Sequence, residues 1–211
     1  MSVTELRNER LGQKLVKNLQ RRHFGAYYCK TAGEAVRKVL ELIPEGASVT
    51  WGGSVTIRDM GLTRALHERG DLQVMDRDLL TDRAEIQKLY RQAFSADFFL
   101  SSANAISEDG VIVNIDGNGN RVAAITFGPS HVIFVVGINK VCQDVDAALK
   151  RARSTASPIN AARFDINTPC HVDGICHNCN SESCICNYIH FLRNSPGGKH
   201  QVVIVGEDLG Y

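Results

Sequence analysis

Twenty-four basic and 23 acidic residues leave this 211-residue chain with a formal charge of +1, a balance that argues against a dominant role on nucleic acid or on an anionic membrane surface. No apolar run approaches the roughly 20 residues of a membrane span, and the polar opening Met1-Ser-Val-Thr-Glu5 has no signal-peptide core behind it, so a cytoplasmic protein is expected. The length suits a single α/β domain over residues 1–211 with a full core.

Residues 4–24 carry Leu6, Leu11, Leu15, Val16 and Leu19 among charged residues, the period of a helix with one apolar face. Tyr27, Tyr28 and Cys29 read as a short extended connection. Thr31 to Glu34 opens a second helix with a capping-box pattern, and that helix ends near Ile43-Pro44. Ala47 to Trp51 is strand-like. Gly52-Gly53-Ser54 then makes a turn into a helix from Val55 to Arg69, an order that suits an anion because free N–H groups gather there. Leu72 to Met75 is a strand, Asp82 to Phe94 a helix and Asp97 to Leu100 a third strand. This βαβαβ order with short links predicts a parallel, covered sheet of Rossmann type. The full G-x-G-x-x-G fingerprint is absent, so a nicotinamide dinucleotide is not indicated.

Beyond residue 100 the pattern changes. Asn104 to Gly110 reads as a polar loop, Val111 to Ile115 as a strand, Asp116-Gly-Asn-Gly-Asn120 as a turn, and Val122 to Phe127 and Val132 to Gly137 as further strands. Short strands joined by glycine turns predict β-hairpins added to the sheet. Asp144 to Ala156 is helical with Pro158 breaking it, Ile185 to Leu192 leads out of a cysteine-rich stretch, and Gln201 to Val205 is the last strand.

Five of the seven cysteines fall within seventeen residues: Cys170, Cys176, Cys179, Cys184 and Cys186. In a reducing compartment such density calls for a metal, a cluster or redox chemistry rather than disulfides. Cys176 and Cys179 form a C-x₂-C knuckle, Cys170 lies upstream, and Cys184 or Cys186 supplies a fourth thiolate. Residues 160–195 are therefore expected to form a Cys-rich metal-binding insertion. One compact wrap with a single knuckle favours a [4Fe-4S] cluster, with Zn as the alternative. His171 and His177 read as neighbours rather than ligands.

Glu108, in Ser107-Glu-Asp-Gly110, is the candidate nucleophile or general base; solvating a turn is its plainer role. Asp116, Asn118, Asn120 and Arg121 add polar groups that suit a ligand site or a hairpin equally well. Ser/His/Asp order, Walker loop and H-E-x-x-H are all absent.

Several stretches together resemble the lactate-utilisation (LUD-domain) family: Trp51-Gly-Gly-Ser-Val-Thr-Ile-Arg-Asp-Met-Gly61, Ser102-Ala-Asn-Ala-Ile-Ser-Glu-Asp-Gly110, Asp116-Gly-Asn-Gly-Asn-Arg-Val122, Gly137-Ile-Asn-Lys140, the cysteine wrap and Val205-Gly-Glu-Asp-Leu-Gly-Tyr211. The resemblance covers nearly the whole chain. It implies the fold of glucosamine-phosphate deaminases, ribose-phosphate isomerases and CoA transferases. In the last of these a Ser-Glu-Asn-Gly loop carries the catalytic glutamate, and this chain has Asp109 where that motif has Asn. The cysteine-bearing branch implies Cys170, Cys176, Cys179 and Cys186 as ligands, with Cys184 the extra thiol.

By the same resemblance, the expected role lies near the oxidation of L-lactate to pyruvate, with iron-sulfur or redox partner subunits and a homo-oligomer among the expected assemblies. Fold alone is a weak guide to reaction. As an enzyme or redox subunit, the protein would hold a small anionic metabolite at Gly52, Gly53 and Ser54 and position it with Asn104, Glu108 and Asn120. As a metabolite-binding or sensing protein, it would hold the same ligand without turnover, and structural zinc would tie down the insertion.

Overall fold

The computed structural model describes residues Met1–Tyr211. The first half alternates helix and strand: α1 (Val3–Arg21), β1 (Gly25–Cys29), α2 (Ala32–Leu42), β2 (Ser48–Trp51), α3 (Val55–Asp59), α4 (Leu62–Arg69), β3 (Gln73–Met75), α5 (Arg83–Gln92) and β4 (Phe98–Ser101). There follow β5 (Ala105–Ser107), β6 (Ile112–Asp116), α6 (Asn120–Thr126), β7 (His131–Gly137), β8 (Val141–Cys142), α7 (Val145–Arg151), α8 (Ser157–Ala161), α9 (Pro169–Asp173), β9 (Tyr188–Leu192) and β10 (His200–Val205). Six strands form an all-parallel sheet in the order β1-β10-β7-β4-β2-β3. It is the parallel, Rossmann-like sheet that the sequence predicts.

Parallel strands are covered on both faces, so their residues are apolar throughout and are sorted by the two-residue period of the strand. Val132, Phe134, Val136, Val202 and Ile204 face one core, which is closed by Leu15 and Leu19 of α1 and Ile125 of α6. Ile133, Val135, Val203 and Val205 face the other, closed by Val39 of α2, Ile57 of α3 and Leu66 of α4. The helices begin on side-chain caps. Ser2 and Glu5 form a reciprocal capping box on α1, and Thr31 accepts the Glu34 N–H at the start of α2.

Five sequence expectations are corrected. The hairpin strands do not extend the main sheet. β5 and β6 pair antiparallel in a second sheet of order β8-β5-β6-β9, which lays Ile106 and Ile112 on the first core. The polar loop at Asn104–Gly110 therefore contains a buried strand. Val122 to Phe127 is the helix α6, not a strand: Gly119, in the left-handed region at φ 77°, turns the chain, and Asp116 Oδ2 accepts the Val122 N–H at 3.0 Å. Its buried residues Val122 and Ile125 are one turn apart, and Phe127, which looked like a strand residue, is 81% exposed. The helix expected from Val55 to Arg69 is two, divided at Gly61 with φ 79°. Pro158 does not end its helix. A π-helical turn over Ala152–Ala156 precedes it, Ser157 Oγ donates to Ala152 O at 2.9 Å, and α8 continues with the proline in its first turn, where the missing N–H costs nothing.

The helix α1 lies against β1 through Gly12, where a side chain would collide with the ring of Tyr28. Gly12→Val is predicted to lower stability by about 1–3 kcal/mol through overpacking. Gly33→Ala, on the exposed first turn of α2, where a Cβ would meet only the Arg37 and Thr31 side chains at 3.9 and 4.0 Å, is predicted to raise stability by about 0.4–1 kcal/mol. Urea unfolding midpoints of the two variants check both signs.

Candidate functional site

In a parallel sheet all strands point the same way, and the crevice outside their carboxyl ends is where backbone groups and loops converge, above all where the strand order reverses direction. Here the chain leaves β2 outward to β3 and returns to β4 on the other side of β2, so the reversal lies between β2 and β4. A cleft of about 760 Å³ opens at this point. Its walls include Gly53 and Ser54 after β2, Ser102 and Asn104 after β4, Lys140 after β7 and Tyr211 beyond β10. The Asp116–Arg121 turn and Glu182, Ser183, Cys184, Ile185 and Asn187 of the cysteine-rich stretch close the far side.

The structure thus brings together most of the polar residues singled out in the sequence. Gly53, Ser54, Asn104, Asp116, Asn120 and Arg121 all line the cleft. Gly52 lies beneath it, where a Cβ would touch the Arg121 stem at 3.6 Å. Glu108 stands apart. At the turn of the β5–β6 hairpin its carboxylate pairs with Lys14 Nζ at 2.9 Å, and its carbonyl accepts from Asn18 of α1 at 2.8 Å. Neighbouring Asp109 is held by Arg22 at 2.5 Å and by Ser107, and these bonds draw its carboxyl below the usual range against the opposing effect of burial. The Ser107-Glu-Asp-Gly110 turn serves the docking of α1.

Arg121 is a scaffold for the cleft rather than a free cation. Its guanidinium donates to Asn114 Oδ1 at 3.0 Å, Asn104 Oδ1 at 3.1 Å and Ile115 O at 2.6 Å, with Asp116 Oδ2 at 3.8 Å from Nε. Asn104 Oδ1 also accepts the Ile115 N–H at 2.9 Å, so one guanidinium ties the loop after β4 to the second sheet. The planar fork of arginine fits such a multi-acceptor nest.

Lys140 is a different case, and sequence reasoning missed it. It closes a short 3₁₀ turn after β7, is only 2% exposed, and donates from Nζ to Thr56 Oγ1 at 2.9 Å and Ser102 Oγ at 3.1 Å. Both partners are neutral hydroxyls, and the charges that act on it are cationic. Burial, and then Arg151 and Arg121, bring its pKa down to about 7. The carboxyl-terminal tail closes over it: Asn139 Oδ1 accepts the Leu209 N–H at 3.1 Å and Asn139 Nδ2 donates to Gly210 O at 3.3 Å. A lysine following the apolar run Val132–Ile138, at the carboxyl end of a strand, is the signal that would have found it.

A second basic group flanks the glycine turn. Arg58 and Arg77 share Asp78, at 3.4 Å and 3.2 Å, and Arg77 reaches within 3.5 Å of where a Gly53 side chain would begin. Arg58 Nη2 is buried there without a hydrogen-bond partner. The cleft walls carry Arg77, Arg121, Lys140 and Arg163 together with the carboxylates Asp116, Asp165 and Glu182.

The cysteine-rich stretch packs beside the cleft. Asn187 Nδ2 donates to Gly117 O at 3.0 Å, and Gly117 lies so close to Ile185 that a Cβ would stand 3.3 Å from its backbone. All seven cysteines are free thiols. Cys184 lines the cleft, Cys176 borders a smaller hollow with Lys150 and Arg153, and Cys186 packs against a small apolar cluster of Ala105, Val113, Ile115, Ala148 and Ala152. Burial pushes the Cys186 thiol up to about 11, and its neighbours Cys184 and Cys176 push the same way. The free, part-exposed thiols have the chemistry of a thiolate-bound centre. As the side chains stand, though, no three His, Cys, Asp or Glu groups are gathered at metal-holding distances.

No helix is long and apolar enough to cross a membrane. No curated protein matches the chain in sequence. Among solved structures, a DUF162 family protein from Deinococcus radiodurans is similar over 94% of this chain and 98% of its own, with a TM-score of 0.57 and 13% identity, a likeness of fold alone. The eIF2B delta of Chaetomium thermophilum aligns over 58% of this chain and 54% of its own at 17% identity and a TM-score of 0.37, too weak to argue from. The LUD-domain model matches residues 12–205, and the chain belongs to the LUD-domain family.

Proposed function

We propose that the cleft binds a small carboxylate metabolite and that the protein serves lactate utilisation, at the step between L-lactate and pyruvate. The observation that carries this reading is Lys140: a desolvated amine in the cleft wall with two hydroxyl partners and no carboxylate. Burying a cation without a counter-charge costs several kcal/mol, and an anionic ligand offsets that cost. Arg77 and Arg58 beside Gly53 extend the attraction across the glycine turn, and Asn120 and Tyr211 supply neutral hydrogen-bonding groups at the walls. Glu108 takes no part in this reading, because it is spent on Lys14 away from the cleft.

We further propose that Cys170, Cys176, Cys179 and Cys186 hold a [4Fe-4S] cluster, which when bound supplies one-electron transfer to redox partner subunits. What supports this is the crowding of free thiols within a stretch that rests on the cleft turn through Asn187 and has little core of its own. Zinc at the same thiolates would instead fasten the stretch to the domain.

Three outcomes are predicted. Pyruvate or L-lactate at a hundredfold excess over its Kd stabilises the protein by about 2.7 kcal/mol; Lys140→Met and Arg77→Met each diminish this in thermal-shift measurements, whereas Glu108→Gln does not. After anaerobic purification, the protein shows visible sulfur-to-iron absorption that Cys186→Ser removes and Cys184→Ser leaves in place; colourless protein with stoichiometric zinc would overturn the cluster assignment.

The third outcome concerns pH. Lys140 has a folded pKa of about 7 against an ordinary value of 10.5, so between those limits the unfolded chain binds the extra proton. Stability therefore rises with pH across that window, by up to about 1.4 kcal/mol per unit, and the penalty is complete below pH 7. The stability of Lys140→Met relative to the parent is predicted to fall as pH rises from 7 towards 10.5, as urea titrations at several pH values would show.

A further inference from the structure

Resting on the carboxylate-binding reading above, we propose that Lys140 is a covalent capture residue, whose Nζ joins the carbonyl carbon of a small 2-oxo acid in the cleft as a reversible imine. A lysine kept for fold stability is expected opposite a carboxylate, and a lysine kept for solubility is expected in water. Lys140 is neither: it is 2% exposed and bonded to Thr56 and Ser102 hydroxyls. The charged groups that bear on it are both cations, and both are fixed. Arg151 Nε donates to Asn139 O at 3.1 Å and its Nη1 donates to Asn104 O, while Arg121 is held by Asn104, Asn114 and Ile115. Desolvation and neighbouring positive charge are the two means by which a lysine becomes a nucleophile near neutral pH. At pH 7 an amine of pKa about 7 is roughly half unprotonated, about a thousandfold more than a lysine of ordinary pKa.

The step balances within the site. The free amine adds to the carbonyl carbon, opening the C=O bond to a carbinolamine. That species loses its hydroxyl with a proton as one water, leaving C=N, and hydrolysis returns the water and the 2-oxo acid. Ser102 Oγ and Thr56 Oγ1, at 3.1 Å and 2.9 Å from Nζ, are placed to pass the proton between nitrogen and the departing oxygen. A 2-hydroxy acid has no carbonyl and binds through its carboxylate alone. The cleft then distinguishes the oxidised from the reduced member of such a pair by a covalent bond that only one of them can make.

The test is reductive trapping on the full chain. The protein is incubated at pH 7 with pyruvate and cyanoborohydride, and in parallel with L-lactate and cyanoborohydride, and then analysed by intact mass and peptide mapping. Thermal shift with each ligand is recorded alongside. The expected result is a single carboxyethyl adduct on the Lys140 peptide with pyruvate, none with L-lactate, and none at that position in Lys140→Arg. At pH 7 trapping at Lys140 should outpace trapping at surface lysines, whose amines are almost wholly protonated there. Adducts spread over surface lysines with Lys140 unmodified, while both ligands stabilise the protein, overturn the imine and leave the carboxylate-binding reading standing. Absence of stabilisation by either ligand overturns both. Peptide mapping of the parent protein decides the matter even where the arginine variant does not fold.

Discussion

A lysine ammonium taken out of water and given only hydroxyl partners is the constraint around which this cleft is built. Thr56, in α3, Ser102 and Lys140 lie on the segments that follow β2, β4 and β7 respectively, three neighbouring strands of one parallel sheet. Their meeting depends on strand register as much as on any single contact. The carboxyl-terminal tail completes the enclosure through Asn139, and Gly137 has no side chain because the tail backbone at Leu209 and Glu207 occupies that space. Everything that excludes water from Nζ also raises the cost of its charge. An anion in the cleft, or a proton released, relieves it.

The second sheet gives the cleft its other wall. Arg121, nested among Asn104, Asn114 and the Ile115 carbonyl, fixes the Asp116–Asn120 turn relative to the main sheet. On that turn rests the cysteine-rich stretch, through Asn187 and the close approach of Gly117 to Ile185. A centre bound by those thiolates would thus lie next to the cleft, joined to it by Cys184, Ile185 and Asn187 in its wall. This neighbourhood is the physical basis for reading the two features as parts of one function.

Much of this was legible in the residues. The parallel sheet showed itself as runs of Val, Ile and Phe separated by helices of period 3.6, and the glycine turn after Trp51, the Asn104 loop and the Asp116–Arg121 turn were recognisable as polar loops in an otherwise apolar pattern. What misled was local propensity. Val122, Ile125 and Phe127 suggest a strand, but Gly119 and the Asp116 side chain set a helix there, and tertiary burial of Val122 and Ile125 holds it. Pro158 suggests a break, and a π-helical turn absorbs it. Glu108 drew attention through its motif, yet its place in the fold is set by Lys14 and Asn18 on a helix nearly a hundred residues earlier in the chain. Lys140 stands in the Gly137-Ile-Asn-Lys140 stretch, but its burial against the Thr56 and Ser102 hydroxyls depends on residues distant in the chain.

The protonation of Lys140 is the most direct test. In protein labelled at lysine with ¹³C and ¹⁵N, the resonance missing from Lys140→Arg identifies the side chain, and its titration can be followed without ligand. A midpoint near pH 7 is expected, rising when L-lactate supplies the missing negative charge. A midpoint above pH 10 in the free protein would mean that Nζ is solvated or paired with a carboxylate, and would contradict it.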